Sequence, residues 1–468
     1  MVLQRSRPEW ALALTSVAFF MVVLDSLVVI TALPAIHREL RAGLSTLEWT
    51  VNAYNLTAAA GIVTAAALGD RLGRRRVFAA GLLLFAAASA ACALAPSVGF
   101  LVAARAVQGV GAALVIPLSL TILTTAFPAE RRGAIVGIWG GLGGLAVAGG
   151  PLVGGAVTQG LDWHWIFWIN VPIGLAAAAL AVWRLPESRG PATRLDLPAV
   201  ALVTGGAVGV VWGLVRGNDA GWTSFETVAT LGLGILLLAA FVAWELRAPE
   251  PMLPMQLFRS RPFAAASATA FLMSASIFSA AFLASQYFQL VLGYSPFGTG
   301  LRFLPWTATP VVVAPLAGML SDRVGRRPLM VLGLLLQAGG LAWIALIATA
   351  GTGYGQLVLP LVVAGVGISM ALAATPAAAM SAVAPRDMGR ASGATNTLQR
   401  FGGVFGIAVA SAVFAASGHL GTAAGFTAGF RPALAVVAGL SALGAACALA
   451  AAGRRRLEAV PVVHSAAA

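Results

Sequence analysis

The chain has 468 residues, of which 59% are apolar and only 10% are charged. An ordinary soluble protein, with about a quarter of its residues charged, is therefore excluded. The net charge of +13 comes from arginine alone, and these arginines lie in short loops between apolar runs, which argues against nucleic-acid binding. Cys92 and Cys447 lie inside apolar runs, so the sequence indicates no disulfide framework, metal site or cofactor.

Apolar runs of about 20 residues recur along the whole sequence, which is the signature of helices that cross a lipid bilayer. The sequence therefore predicts an all-α integral membrane protein. Fourteen spans are expected, at residues 10–33, 48–68, 77–95, 100–124, 134–159, 165–184, 196–216, 226–246, 262–290, 299–320, 328–350, 357–380, 391–416 and 429–452.

Two short loops have nearly the same sequence, LGDRLGRR at residues 68–75 and LSDRVGRR at residues 320–327. Self-similarity between distant parts of a membrane chain predicts two related halves. The first six spans are related to the last six by the same separation along the sequence as the two loops. The seventh and eighth spans are an insert between them. The predicted domains are an N-terminal six-helix bundle at 10–190, two inserted helices at 191–250, a C-terminal six-helix bundle at 251–453 and a tail at 454–468.

The repeated loop also predicts a gate. Asp70 ends the second span, where the helix dipole disfavours an acid unless a cation lies near, and Gly73 permits a tight turn. The adjacent arginines can pair with Asp70 and hold the halves together. Membrane anchoring by positive charge is the alternative, and the presence of two copies at matching positions argues against it. The gate assignment comprises Asp70, Arg71, Gly73, Arg74, Arg75, Asp322, Arg323, Gly325, Arg326 and Arg327.

Arginine placement predicts the orientation in the membrane. Most arginines fall in the tails and in the loops that share a side with them, and such loops face the cytoplasm under the positive-inside rule. Both termini are therefore expected in the cytoplasm, which agrees with an even number of spans.

Asp25 is the one acidic residue expected deep within a span, and Arg105 on the fourth span is expected at a similar depth. A charged group there costs about 2.5–3.5 kcal/mol on insertion scales, so it needs a partner or a function. An acid that takes up and releases a proton, and a cation that responds to it, would couple transport to protons. The alternatives are a neutral acid in a helix–helix hydrogen bond and a static ion pair.

Arg400 is the third charge predicted at depth. It can reach towards the membrane surface, pair with Asp25 in one state, or face an anionic group of a substrate. Other polar residues at depth suit a substrate cavity, although hydrogen bonding between helices is the commoner role. The possible cavity residues are Asn52, Tyr54, Asn55, Gln108, Gln286, Gln289, Asn396 and Arg400. With two buried arginines and one aspartate, neutral or anionic substrates fit better than dications.

The fifth span is rich in glycine, and Pro151 removes one of its backbone hydrogen bonds. Small residues allow helices to approach closely, so the span is expected to form a hinge between the halves or simply to pack tightly.

Together these features resemble the major facilitator superfamily, and more narrowly its fourteen-span drug:proton antiporters. The resemblance rests on the two repeated loops and on five further stretches: LDSLVVITALP at 24–34, LVAARAVQGVGAA at 101–113, GGPLVGG at 149–155, WHWIFWINVPIG, and QYFQLVLGYSPFGTGLRFLP. It implies a major facilitator fold and alternating access. It also implies proton coupling by Asp25 and Arg105, and an antiporter bend at Gly150, Pro151, Gly154 and Gly155.

Three positions depart from the family pattern. Ala66 stands where the loop motif usually begins with glycine, although Gly318 keeps it in the second copy. Ala146 replaces a glycine of the fifth span, and His164 stands where arginine is common. The two alanines weaken the expectation of close packing, and none of the three removes a charged group of the predicted site.

The sequence thus predicts a monomeric exporter of small amphiphilic molecules in the cytoplasmic membrane, driven by protons. An importer or proton symporter of the same fold is the first rival, against which GGPLVGG argues. A membrane-embedded enzyme would need clustered acids, a metal set or a nucleophile–base pair at one membrane face, and the acids are not placed for that. A sensor that has lost transport is disfavoured by the retention of Asp25 and Arg105.

Overall fold

The structure is a computed structural model that describes residues 8–190, 196–249, 251, 253, 255–384 and 387–451. The predicted tail at 454–468 lies outside the described residues. The helices are α1 (Pro8–Leu40), α2 (Leu44–Leu72), α3 (Arg74–Ala93), α4 (Val98–Ala126), α5 (Ala129–Gly160), α6 (Trp165–Trp168), α7 (Asn170–Arg184), α8 (Leu197–Ala220), α9 (Phe225–Glu245), α10 (Arg261–Gln286), α11 (Pro296–Thr307), α12 (Thr309–Val324), α13 (Arg326–Ile347), α14 (Tyr354–Ser381), α15 (Met388–Ser417) and α16 (Ala423–Ala448).

The all-α prediction is confirmed. Within the described residues, thirteen helical segments are long and apolar enough to cross a membrane, and α2 is a fourteenth if its two segments form one bent span. The predicted sixth span is the pair α6 and α7. The predicted tenth span corresponds to two helices, α11 and α12. The span is interrupted between them at Ala308, next to a proline at the start of α12.

Helix ends follow from local chemistry. The hydroxyl of Ser97 accepts a hydrogen bond from the backbone N–H of Phe100 and so caps α4, and Ser295 caps α11 in the same way. Gly73 (φ 113°) and Gly325 (φ 92°) separate α2 from α3 and α12 from α13. Those backbone angles favour glycine, so each copy of the repeated loop turns sharply at its central glycine.

Two ends of the bundle differ in how the halves meet. The basic end is defined here as the end that carries the two repeated loops, and the other is the opposite end. At the opposite end, one apolar core unites both halves, with Leu33 and Trp163 in the same cluster as Phe282 and Phe430. Towards the basic end, the N-terminal half and the C-terminal half have separate apolar cores.

Polar and close contacts join the halves towards the opposite end. Ser285 of α10 donates a hydrogen bond to the carbonyl of Ile30 (3.1 Å), and Gln289 donates to that of Thr31 (2.8 Å). Gln159 at the end of α5 accepts a hydrogen bond from the backbone of Phe297 in α11 (3.2 Å). The structure therefore shows the halves joined at the opposite end and diverging towards the basic end.

The inserted helices α8 and α9 pack on each other and lie along the seam between the halves. Val211 and Val215 of α8 share an apolar cluster with Leu56 of α2 and with Val404 and Ala408 of α15. The insert therefore contacts both halves at once. The predicted domain boundaries around it stay a prediction.

Candidate functional site

The centre of the N-terminal half holds a buried ion pair. The Nη1 of Arg105 on α4 lies 2.5 Å from the Oδ2 of Asp25 on α1. Asp25 is 3% exposed and Arg105 is fully buried. The structure therefore brings together the two charged residues that the sequence placed at similar depth, and it seals them from the surface.

Three side chains donate hydrogen bonds to the carboxylate of Asp25. Besides Arg105, these are Gln108, whose Nε2 is 3.0 Å from Oδ1, and Asn170, whose Nδ2 is 2.8 Å from the same oxygen. Asn170 also donates to the hydroxyl of Ser89 (3.1 Å), which donates in turn to the carbonyl of Phe167 (2.9 Å). Donors aimed at both oxygens stabilise the ionised form of the acid.

Arg105 is held from several sides. Its Nε donates to the carbonyl of Thr50 on α2 (3.1 Å), and its Nη1 donates to the Oε1 of Gln108 (2.7 Å). The guanidinium lies 4.1 Å from the centre of the Tyr54 ring, a favourable cation–π geometry. Tyr54 donates its own hydroxyl to the carbonyl of Val22 on α1 (3.0 Å). The cluster thus connects α1, α2, α4 and α7.

This arrangement can change with one proton. A proton on Asp25 removes the negative charge that attracts Arg105 and turns one acceptor oxygen into a donor. At least one of the three donors must then move away or, for an amide, rotate. The Nη2 of Arg105 is buried without a hydrogen-bond partner, so the guanidinium has a donor free for a rearranged state. Protonation would therefore alter contacts on four helices.

Most of the other predicted cavity residues are packed within the bundle. Asn52, Asn55 and Gln286 are at most 3% exposed, and both side-chain polar atoms of Asn52 are without a hydrogen-bond partner in the described part of the chain. Gln289 bridges the halves, as described above. Only Asn396 on α15 is exposed. The assignment of these residues to a substrate cavity stays a prediction.

Arg400 lies near the middle of α15 and is partly buried. Its helix packs against α2, because Val404 and Ala408 of α15 belong to the same apolar cluster as Leu56 of α2. Arg400 forms no ion pair or hydrogen bond with any residue in the described part of the chain. In this conformation it is not paired with Asp25.

The first copy of the repeated loop is tied to its own half. The carboxylate of Asp70 forms an ion pair with Arg74, whose guanidinium donates hydrogen bonds to Oδ1 at 2.8 Å. The backbone carbonyl of Asp70 accepts a hydrogen bond from the backbone N–H of Gly190 (3.2 Å). Glu187, which follows α7, accepts from the backbone N–H of Arg75 (3.0 Å) and lies 3.6 Å from the side chains of Arg75 and Arg76.

The latch between halves that the sequence suggested is therefore not closed here: the hydrogen bonds and ion pairs of this loop that the structure describes remain in the N-terminal half. In the second copy the side chain of Asp322 lies outside the described residues. Among the described residues no ion pair is formed by its arginines Arg323, Arg326 and Arg327.

The glycines of the predicted antiporter bend lie at helix crossings. A β-carbon on Gly150 would lie 2.8 Å from the Cβ of Leu27, and one on Gly154 would meet the backbone of α1 at Val28 (2.7 Å). A β-carbon on Gly155 would collide with the carbonyl of Pro296 on α11. Pro151 lies inside α5, which runs unbroken from Ala129 to Gly160. The bend residues thus hold α5 against both halves towards the opposite end.

Sequence reasoning missed two residues of these clusters, Asn170 and Glu187. Asn170 is the single amide of the sixth predicted span, a signal that could have marked it as a partner for a buried charge. Glu187 lies in a loop 112 positions from Arg75. Its sequence neighbourhood carries no sign of that contact. Two further acids, Glu48 and Glu245, are 2% exposed but lie near helix ends.

Comparison with known proteins places these features in a family. The profile of the Major Facilitator Superfamily matches residues 15–407. The tetracenomycin C resistance and export protein of Streptomyces glaucescens is 35% identical over 413 residues, covering 88% of this chain and 77% of that protein. The multidrug resistance protein Stp of Mycobacterium tuberculosis is 35% identical over 404 residues, covering 86% and 75%. The puromycin resistance protein of Streptomyces alboniger is 35% identical over 414 residues, covering 87% and 82%.

Solved structures share the architecture. A peptide transporter POT in complex with sulfate superposes with a TM-score of 0.68 at 17% identity, covering 95% of this chain and 94% of that one. A D-xylose–proton symporter gives a TM-score of 0.66 at 16% identity, covering 94% and 97%. At such low identity these likenesses show the fold alone, and they confirm the predicted fold class.

Proposed function

Because this chain belongs to the major facilitator superfamily, and is thus a multi-pass membrane transporter rather than an enzyme, we propose that it exports small amphiphilic molecules in exchange for protons. The basic end and both termini face the cytoplasm, the chain works as a monomer in the cytoplasmic membrane, and the substrates are drugs, antibiotics or metabolites. The names of the resistance and export relatives support the direction of transport.

The observation that carries the proposal is the buried cluster around Asp25. Its acid, its cation and its two amides come from three helices, α1, α4 and α7, and the cluster is shut off from the surface in this conformation. A static ion pair would explain the contact of Asp25 with Arg105. It would also need donors on both carboxylate oxygens, so the feature that favours a cluster able to rearrange is the Nη2 of Arg105, which has no hydrogen-bond partner within the described residues.

In this mechanism the halves alternate between two arrangements. With the opposite end closed and the cores separate towards the basic end, substrate enters from the cytoplasm while Asp25 is ionised and holds Arg105, Gln108 and Asn170. Rocking opens the opposite end, where substrate leaves and a proton reaches Asp25. The neutral acid cannot hold its three donors, so the helices are free to return to the arrangement open to the cytoplasm, where the proton leaves and the ionised acid binds its donors again.

The contacts of α5 suit such a motion. Gly154 and Gly155 allow α5 to touch α1 and α11 at backbone distance towards the opposite end. In contrast, a β-carbon on Gly140 or Gly141, nearer the basic end, would find nothing within 4 Å. Nearer the basic end α5 still contacts α1, because Trp139 stacks on Phe19 with the ring centroids 3.8 Å apart. The helix thus stays attached to its own half, and its backbone contact with α11 of the other half at Gly155 lies towards the opposite end.

Asp25→Asn tests the proposal. We expect a host without its own efflux pumps to gain resistance to a compound such as tetracenomycin C from the wild-type chain, and to lose it with Asp25→Asn, because an amide cannot carry the proton. Asp162→Asn is the matched control, since Asp162 is exposed in the loop before α6 and should leave resistance unchanged. Immunoblots of membranes check that all three chains reach the membrane in equal amounts.

Inverted membrane vesicles with an acidic lumen give the direction of coupling. Adding a transported compound should make the lumen less acidic, because each molecule that enters drives protons out. Further acidification would support symport instead. Concentrative, pH-driven uptake that survives in Asp25→Asn would show that the acid does not carry the proton.

A further inference from the structure

Arg400 differs from the other charged groups of the bundle interior because nothing in the described chain neutralises it. It follows Met388, the first residue of α15, by twelve positions, so it lies about 18 Å along the helix at about 1.5 Å per residue. A permanent cation at that depth is costly without a partner. We propose that Arg400 binds the acidic group of the transported molecule, so that preferred substrates are amphiphilic monoanions such as carboxylates. This rests on the proposed transport function.

The partner cannot be the acid of the proton cluster in this conformation. The carboxylate of Asp25 already accepts hydrogen bonds from Arg105, Gln108 and Asn170. Arg105 compensates its charge, so Asp25 and Arg105 are neutral as a pair. The charge on Arg400 therefore remains, and a bound monoanion would cancel it.

The position of Arg400 suits a ligand that arrives from the basic end. Val404, one turn further along α15, lies in the cluster that joins α15 to α2 and α8, whereas the apolar cores of the two halves are separate towards the basic end. Arg400 thus lies close to where the halves part.

A polar stripe connects Arg400 to the basic end. Ser392, Asn396 and Arg400 are spaced four residues apart and therefore share one face of α15. Asn396 is exposed, and its amide nitrogen donates to the carbonyl of Ser392 (2.9 Å). A β-carbon on Gly393 would meet nothing within 4 Å, so this part of the helix surface is open. An amide and a hydroxyl on an open surface give the cation a polar approach from the basic end.

Guanidinium is well suited to an acidic group because its planar N–H donors match the two oxygens of a carboxylate. A lipid headgroup carries a phosphate with similar chemistry. The depth of Arg400 favours a molecule that enters between the two halves over a lipid whose headgroup stays at the membrane surface. The experiment below separates the two.

Binding of matched fluorescent pairs to the purified chain tests the proposal without any need for transport. The first pair is 1-pyrenebutyric acid and its methyl ester, and the second is 8-anilinonaphthalene-1-sulfonate and N-phenyl-1-naphthylamine. Members of a pair share the aromatic body and differ in the acidic group. We expect the wild-type chain to bind each anion about tenfold more tightly than its neutral counterpart, the gain typical of a charged hydrogen bond.

Arg400→Gln should reduce this preference to about one, while binding of the neutral members stays the same. Arg400→Lys keeps the charge and should retain part of the preference, which checks that the cation rather than the fold is responsible. Arg216→Gln is the control for net charge, because Arg216 is exposed on α8 beside Glu226 (3.2 Å), and it should keep the full preference.

The proposal is wrong if the wild-type chain does not prefer the anion in either pair, or if Arg400→Gln retains the preference. In nanodiscs, phosphatidylglycerol that competes with the anions in the wild-type chain but not in Arg400→Gln would identify a lipid as the ligand and also overturn it. Failure of proton-coupled export in vesicles would leave the binding preference intact, so the two proposals fail separately.

Discussion

The two arginines that lie deepest in the bundle are in opposite situations. Arg105 in the N-terminal half is fully buried and contacts Asp25, Gln108, the Thr50 carbonyl and the Tyr54 ring. Arg400 in the C-terminal half is partly buried and has no hydrogen-bond acceptor in the described chain. The two halves resemble each other in fold, but one closes its charges into a cluster and the other leaves a charge open.

Under the two proposals above, the halves of this duplicated fold perform different tasks, proton binding in one and substrate binding in the other. A closed cluster suits a proton, which needs only one oxygen and changes the contacts around it. An open cation suits a larger molecule, which needs space on one side. Glu187 and Gly190 tie the first copy of the repeated loop to the N-terminal half, whereas within the described residues the arginines of the second copy form no ion pair.

Removal of Arg105 should have the largest effect on stability. Arg105→Gln leaves Asp25 as an unpaired buried charge, which typically costs about 3–5 kcal/mol. The double variant Asp25→Asn with Arg105→Gln removes both charges and should recover most of that loss. Thermal unfolding in detergent measures both, with Arg216→Gln as the exposed control.

Equal destabilisation by the single and the double variant would contradict the view that Arg105 mainly neutralises Asp25. It would mean that the ion pair itself contributes little and that the arginine acts through other contacts.

Asn170 should have an intermediate effect. Asn170→Ala removes one of the three donors to Asp25 and leaves the hydroxyl of Ser89 without that partner. A lost hydrogen bond to a charged group is worth about 1.5–3 kcal/mol, so proton-driven uptake into inverted vesicles should fall by about tenfold or more. Asp162→Asn, which removes an exposed acid in the loop before α6 and outside the cluster, should leave proton-driven uptake unchanged. A proton response that is the same in Asn170→Ala and the wild type would exclude Asn170 from the cluster's function.

The loop contacts should have the smallest effect. Glu187→Gln removes a partly exposed acid that lies 3.6 Å from two arginines, and such pairs are worth about 0–1 kcal/mol. We expect less than a threefold change in uptake and a small drop in the unfolding temperature. A complete loss of uptake would show that the anchoring of the first loop is part of the gate.

Much of this protein could be predicted from the order of its residues. Long apolar runs cannot remain in water, and a backbone in lipid must satisfy its own hydrogen bonds, so the helices and their number followed from composition and spacing. Asp25 and Arg105 were identifiable as partners because burial of a charge is costly and both lie at similar depth. The resemblance of the motifs to a known family added the fold.

Only the tertiary structure decided which side chains meet. Asn170 and Gln108 point at the same oxygen of Asp25, and Glu187 contacts a loop more than a hundred residues away, because helix rotation and packing bring them there. The same packing buried most of the expected cavity residues and left Arg400 open. The periodicity of a helix predicts which residues share a face. Which other helix packs against that face depends on the energy of the whole bundle.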